Sequence, residues 1–113
     1  MIYHIAFESD WERAKRDGEY RLSTKGRTIE EQGFMHGGTE AQVAPVANMI
    51  YGDDEGLVVL AIDEEKLTSP LRWDPAPGWD EPFPHVYGPL NVDAVVGVRA
   101  LTRGSDGRYE FTA

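Results

Sequence analysis

Three histidines and one tyrosine are the side chains of this sequence best suited to acid–base or ligand-binding chemistry. His4 lies in IYHIAF, His36 in GFMHGG, and His85 and Tyr87 in FPHVYG. An imidazole changes charge near neutral pH, and both of its nitrogens make hydrogen bonds. His85 and Tyr87 are two residues apart, so in an extended segment their side chains face the same way. We expect the three histidines to line one cleft, within about 10–12 Å of one another, with His36 and His85 as the catalytic pair.

Each of these side chains also has a structural alternative that the sequence leaves open. A histidine in an apolar strand, such as His4, is typical of a hydrogen-bonded core residue. The glycine pair after His36 is typical of a turn that needs positive φ, as well as of a backbone that approaches a ligand closely. Tyr87 is equally compatible with a buried phenol that hydrogen bonds to a neighbouring loop.

Arg72 and Thr39 are the candidates for binding an anionic group. The planar guanidinium of Arg72 can bind a phosphate or a carboxylate through two parallel hydrogen bonds. Thr39 stands at a predicted helix start, where free N–H groups can receive a phosphate. The structural alternative for Arg72 is an ion pair with Asp74 or Asp80.

Several other chemistries are disfavoured by what the sequence lacks. There is no cysteine, so no thiolate nucleophile, disulfide or cysteine-based zinc site is expected. The histidines have neither i, i+4 spacing nor an H-E-x-x-H pattern, and we predict no metal site. The chain also has no G-x-S-x-G motif of a serine hydrolase.

Composition predicts a single domain over residues 1–113 and argues against tight nucleic-acid binding, while it is compatible with a small-molecule ligand. With 20 acidic and 11 basic residues the formal net charge is −9, and tight phosphate-backbone binding needs clustered Lys and Arg. No stretch approaches the roughly 20 apolar residues of a membrane span, and the N-terminus reads as a strand rather than a signal peptide. We therefore expect no membrane partner and a cytoplasmic location.

The N-terminal half must place His4 on a strand and His36 just before a helix. IYHIAF alternates in hydrophobicity and predicts a first strand. A short helix should follow, capped by Ser9 or Asp10 and ended by Gly18. A second helix should start at Thr39 and end at Gly52, with Gln42 completing a capping box and an apolar stripe facing the core. The stripe comprises Val43, Val46, Ala47 and Ile50, with Pro45 inside it.

The C-terminal half should supply the central strands of the sheet. GLVVLAID and VDAVVGVRAL are apolar runs that predict buried strands, with Val58, Leu60, Val95 and Val98 nearly fully buried. LRWD is a short strand, residues 74–84 should be irregular because of their prolines, and TRGSDGR should turn a hairpin. The order β-α-β-α-β-loop-β-β predicts an α+β fold.

The ordered segments YHI, GFMHGG, AQV, LVVLAID, RWD and FPHVYGPLNVDAVV resemble the bacterial family known as domain of unknown function 952, over nearly the whole chain. That family is similar in fold to ADP-ribosyltransferases and RNA 2′-phosphotransferases, which bind NAD or an ADP-ribosylated intermediate between two small sheets. The resemblance implies a small two-sheet α+β domain with short helices and the ADP-ribosyltransferase fold. It also implies an NAD-like ligand, with His4 on the first strand as a ligand-binding residue. Thr39, Arg72 and Tyr87 are the further ligand-binding candidates, from their residue types and positions alone.

The chain departs from the family pattern at Gly37 and Gly38, where relatives carry Cys and Ser, and it has no clear counterpart of the transferase glutamate. Two hypotheses therefore stand. One is a histidine-lined cleft that binds or processes a nucleotide-like ligand. The other is a non-catalytic ligand-binding or regulatory domain on the same fold.

Overall fold

Alternating hydrophobicity produces a mostly antiparallel β structure, described over all 113 residues by a computed structural model. The α-helices are α1 (Glu8–Asp17), α2 (Ile29–Gln32) and α3 (Glu40–Ile50). The strands are β1 (Ile2–Phe7), β2 (Glu19–Tyr20), β3 (Met35–His36), β4 (Leu57–Ile62), β5 (Leu71–Asp74), β6 (Phe83–Val86), β7 (Leu90–Asn91), β8 (Val95–Ala100), β9 (Thr102–Arg103) and β10 (Tyr109–Glu110). No helix is long and apolar enough to cross a membrane.

The strands form two three-stranded sheets and two small ribbons. The first sheet has the order β1-β4-β8 and the second has the order β3-β6-β5, and all of their pairings are antiparallel. The ribbons pair β2 with β7 and β9 with β10. The predicted α+β class is confirmed, but the expected two-sheet arrangement was too simple because the ribbons are separate.

The first sheet divides the core into two clusters because its strands alternate. Ile2 and Ala6 of β1 pack in one cluster together with Val58 and Leu60 of β4. The opposite faces of these strands belong to the second cluster, which includes Tyr3, Ile5, Leu57 and Val59 and is covered by α3. The predictions for β1 and for a fully buried β4 are therefore confirmed.

The prediction that Val95 and Val98 are central core residues is wrong. They belong to β8, which is the edge strand of its sheet, and Val98 is 43% exposed while Val95 is only partly buried. A continuous apolar run is compatible with a central strand, but it does not encode the order in which strands pair.

The predicted boundaries of both helices need small corrections. The helix α1 is preceded by Phe7 with no side-chain cap, so the N-cap assigned to Ser9 or Asp10 is wrong, whereas Gly18 ends the helix in the left-handed conformation as predicted. At α3 the Thr39 amide donates to Gln42 Oε1, as expected for a capping box. The helix continues through Pro45 and ends at Ile50, just short of the predicted Gly52.

The proline-rich segment is shorter than predicted, because Asp74 ends β5 and β6 already begins at Phe83. Pro84 fits inside a strand because it lies opposite Gly37, just past the end of β3. Its carbonyl accepts the Gly37 amide at 2.9 Å. The reciprocal bond, from residue 84 to the Gly37 carbonyl, is the one that proline cannot make, so the loss falls at the end of the β3–β6 ladder.

The glycines after His36 join the two sheets and do not form a positive-φ turn. Gly38 exchanges two backbone hydrogen bonds of 2.8 Å with Tyr3 of β1. Neither Gly37 nor Gly38 has a positive φ. A Cβ at Gly37 would lie 2.7 Å from the Pro84 carbonyl oxygen, so the close approach of the backbones requires glycine there.

The core assignment predicts a large stability difference between a central and an edge position. Leu60→Ala should lower the free energy of unfolding by roughly 2–5 kcal/mol, because Leu60 is fully buried in β4. Val98→Thr on the exposed edge strand is the matched control and should cost no more than about 0.5 kcal/mol. Urea denaturation of the two variants measures both values, and equal losses would contradict the assignment of β4 as the central strand.

Candidate functional site

One face of the second sheet gathers most of the residues that the sequence marked as chemical. His36 of β3 is directly opposite His85 of β6, and His85 is directly opposite Arg72 of β5. Gly37 and Pro84 carry the adjacent ladder bond, so His36 and His85 form a non-hydrogen-bonded pair, where cross-strand side chains come closest. The register thus places Arg72, His85 and His36 in one row across three strands.

A carboxylate and two imidazoles are hydrogen bonded in series on this face. Asp74 Oδ2 lies 2.8 Å from His85 Nδ1, and His85 Nε2 lies 3.2 Å from His36 Nδ1. The hydroxyl of Tyr87 donates to the same oxygen of Asp74. We call Asp74, His85 and His36 the relay.

The chemistry of the partners fixes the tautomers when both relay histidines are neutral. An ionised Asp74 only accepts, so His85 carries its proton on Nδ1 and its Nε2 is a lone pair. His36 must then donate from Nδ1 to that lone pair. Its own Nε2 is left as a lone pair with no hydrogen-bond partner in the protein, and it is the free end of the relay.

The electrostatics of the site favour an ionised Asp74 and a neutral His36. Hydrogen bonds from Tyr87 and His85 lower the pKa of Asp74, and the bond to Asp74 raises the pKa of Tyr87. Burial lowers the pKa of His36 to about 4, with smaller contributions from His85 and His4. At neutral pH His36 is therefore an uncharged base.

His4 reaches the site through the backbone of His36. Its Nδ1 lies 2.6 Å from the His36 carbonyl oxygen and its Nε2 lies 3.0 Å from the Tyr20 hydroxyl. Burial raises the pKa of Tyr20, so that phenol is a donor, and His4 must donate from Nδ1 to the carbonyl. Burial lowers the pKa of His4 to about 4. Both ring nitrogens have protein partners, so His4 is a link between the two sheets.

Aromatic rings enclose the relay on several sides. Phe34 stacks on His85 with ring centroids 3.9 Å apart, and it also contacts Tyr87. Phe83 packs against His36 with a centroid separation of 5.0 Å. Trp79 of the proline-rich loop then packs edge-on against Phe83. These contacts leave His85 only 7% exposed.

His36 also lines a narrow pocket between the second sheet and α3. Its walls include Gly37, Gly38, Gln42 and Thr24, together with apolar side chains of the second core cluster. The enclosed volume is about 20 Å³, enough for one water molecule.

The structure brings most of the predicted site residues together. Hydrogen bonds place His4 beside the His36 backbone and His85 beside the His36 ring, which confirms the predicted proximity. The pocket at His36 includes His4 but not His85, so a single cleft lined by all three histidines stays a prediction. Tyr87 and Arg72 lie beside the relay, where the guanidinium carbon of Arg72 is 5.1 Å from the Tyr87 ring centroid. The alternative ion pairs of Arg72 with Asp74 or Asp80 are not formed. Thr39 lies at the start of α3, with its amide already bonded within the protein.

Sequence reasoning missed Asp74, Tyr20 and Phe34 as parts of the site. Asp74 had a usable signal, because it is two residues from Arg72 in a predicted strand and so shares its face. Phe34 is likewise two residues before His36. Tyr20 carried no local signal, because its contact with His4 depends on how the β2–β7 ribbon packs. The structure contains no cluster of three or more His, Cys, Asp or Glu side chains arranged to hold a metal ion.

Together, the fold and site define a small α+β domain with a carboxylate–imidazole–imidazole relay on one sheet. A family model described as "Protein of unknown function (DUF952)" matches residues 5–98, so the chain belongs to that family. No curated protein matches the chain significantly.

Solved structures of protein CC0527 from Caulobacter crescentus have the same fold. Its crystal structure is 30% identical, with a TM-score of 0.83, covering 96% of this chain and 92% of that chain. Its solution NMR structure is 31% identical, with a TM-score of 0.77, covering 95% and 89%. These similarities do not extend to an ADP-ribosyltransferase, and that likeness stays a prediction.

The depressed pKa of His4 predicts a loss of stability in mild acid. Because the pKa of His4 is lower in the folded state than in the unfolded state, neutral His4 contributes its full stabilisation of the fold only above pH 6.5, the pKa of the unfolded state. That contribution is lost as the pH falls towards about 4, on the order of 1–3 kcal/mol for one buried histidine. Urea denaturation across this pH range should show a shallower pH dependence for His4→Gln than for the wild type.

Tyr20→Phe is the matched control for that measurement. It leaves His4 Nε2 without its donor and should lower stability by about 1–3 kcal/mol, while the titrating imidazole and the pH dependence are retained. Equal pH dependence in the wild type and His4→Gln would contradict the assignment of His4 as a buried neutral link.

Proposed function

We propose that the domain binds a small nucleotide-like ligand on this face and that His36 Nε2 is the general acid–base of a reaction on it. The observation that carries the proposal is the relay, because a free imidazole lone pair is backed by a second imidazole and a carboxylate. This arrangement matches the requirement for a base oriented by a further group.

The relay explains how an imidazole with a depressed pKa can act as a base. When His36 takes a proton at Nε2, its Nδ1 proton can pass to His85 Nε2. The positive charge then lies on His85, beside the ionised Asp74, rather than on the buried His36 ring.

Transferase chemistry on an NAD-like ligand, with an ADP-ribosyltransferase-like fold, is the more specific form of the proposal. Its support is the combination of a base with two partly exposed aromatic side chains, Phe34 and Tyr87, on the same face. Such rings can stack on a planar heterocycle. The ligand-binding role of Thr39 belongs to this form of the proposal as well, whereas His4 acts on the site only through the His36 carbonyl that it holds.

A non-catalytic ligand-binding domain is the second candidate, and the enclosure of the site favours it. The pocket at His36 has room for one water, and Phe34 covers His85. A nucleotide-sized substrate reaches the relay only if Phe34 or the proline-rich loop moves. A domain that binds at the rim without reaction needs no such movement.

The two candidates differ in turnover. If the relay is catalytic, the protein should release nicotinamide from NAD or remove 2′-phosphate from RNA, and His36→Asn should lower the rate by about 10²–10⁴-fold. Asp74→Asn should also lower the rate, because an amide cannot hold the same tautomer and charge. Asp80→Asn, an exposed site on the following loop, is the matched control and should keep the wild-type rate.

Thermal shift with NAD and ADP-ribose provides the binding arm of the same experiment, because a ligand that binds only the folded state raises the Tm. Binding without either product would retire the transferase and leave the ligand-binding domain. Turnover that survives His36→Asn would exclude the relay as the catalytic group. The absence of both binding and turnover would contradict both candidates.

A further inference from the structure

Resting on the proposed function, we infer that Arg72 binds a phosphoryl group of the nucleotide-like ligand and sets its distance from the reacting bond at His36. Three cationic side chains lie over tyrosine rings: Lys25, Arg72 and Arg103. Lys25 also pairs with Asp54, and Arg103 also pairs with Glu55. Of these three cations, only Arg72 has neither an ion pair with a carboxylate nor a hydrogen bond to an acceptor in the protein.

Stacking on Tyr87 holds Arg72 in place and leaves its donors free. The guanidinium carbon lies over the Tyr87 ring, 5.1 Å from its centroid, and none of the five guanidinium N–H groups donates a hydrogen bond within the protein. Tyr87 is itself fixed by donating its hydroxyl to Asp74. A positioned cation with an open fork is suited to bidentate recognition of a phosphoryl group.

Asp74, two residues along β5, attracts Arg72 electrostatically but forms no ion pair with it. Asp74 accepts hydrogen bonds from His85 and Tyr87 through the same oxygen, Oδ2. These bonds hold Asp74 on the relay, and no carboxylate lies within 4.0 Å of the Arg72 guanidinium. In a chain with 20 acidic residues, this leaves an available positive charge beside the relay.

The strand register sets the separation between the backbones of Arg72 and His36. Arg72 is opposite His85 in a hydrogen-bonded pair, because the Tyr87 amide donates to Pro70 in the same ladder. His85 is opposite His36 in a non-hydrogen-bonded pair. The two separations place the Arg72 and His36 backbones about 10 Å apart. We therefore expect the ligand to carry its phosphoryl group apart from the reacting bond, as a nucleotide does and inorganic phosphate does not.

Binding of AMP and adenosine, measured by isothermal titration at low salt, tests this inference without requiring turnover. The wild type should bind AMP about ten- to hundredfold more tightly than adenosine, the range for a hydrogen bond to a charged group. Arg72→Gln should bring AMP to the affinity of adenosine and leave adenosine unchanged. Arg72→Lys should recover only part of the preference, because it restores the charge without the fork.

Two further variants separate this inference from the proposed function. Arg108→Gln, at an exposed arginine in the C-terminal hairpin, is the matched control and should keep the wild-type preference for AMP. His36→Asn should keep the preference as well, even where it abolishes turnover, since the phosphoryl contact lies two strands away. The inference is overturned if the wild type binds neither compound, shows no preference for AMP, or retains that preference in Arg72→Gln.

Discussion

The cross-strand pairing of His36 with His85 is the contact on which the site depends. Two imidazoles meet at 3.2 Å only because β3 and β6 pair in the register that places them directly opposite each other. A slip of one residue would turn either side chain to the other face of the sheet and break the relay. That opposite face carries Met35 and Val86, both fully buried in the first core cluster, so the hydrophobic effect enforces the register.

The rest of the fold holds this short pairing in place, because β3 has only two residues. The Tyr3–Gly38 bridge joins β3 to the first sheet, and the Tyr20–His4 link fixes the carbonyl of His36. Gln42 of α3 adds a bond of 3.0 Å to the Pro82 carbonyl, just before β6. Local propensity alone would not stabilise such a short strand, and these connections make its position a consequence of tertiary structure.

The parts of the fold that sequence reasoning predicted are those governed by local periodicity. The alternation of β1, the apolar β4, the Thr39–Gln42 cap and the end of α1 at Gly18 depend on neighbouring residues. One error was local, the N-cap of α1, and the others arose from pairing order and long-range contact. Val98 looks like a core residue in sequence, and only the position of β8 at the sheet edge exposes it. At the site, the proximity of the histidines was predictable, whereas the roles of Tyr20 and Asp74 depend on contacts between distant segments.

The central claim is that His36 presents an unprotonated Nε2 at the free end of the relay, and its tautomer tests this most directly. Long-range ¹H–¹⁵N NMR of the histidine rings at alkaline pH, where imidazoles are neutral, distinguishes the two nitrogens of each ring. The relay predicts that His36 and His85 both carry their proton on Nδ1, with both Nε2 atoms bare. A proton on Nε2 of His36, with its Nδ1 bare, would contradict the account, because no lone pair would then remain to accept a proton from a ligand.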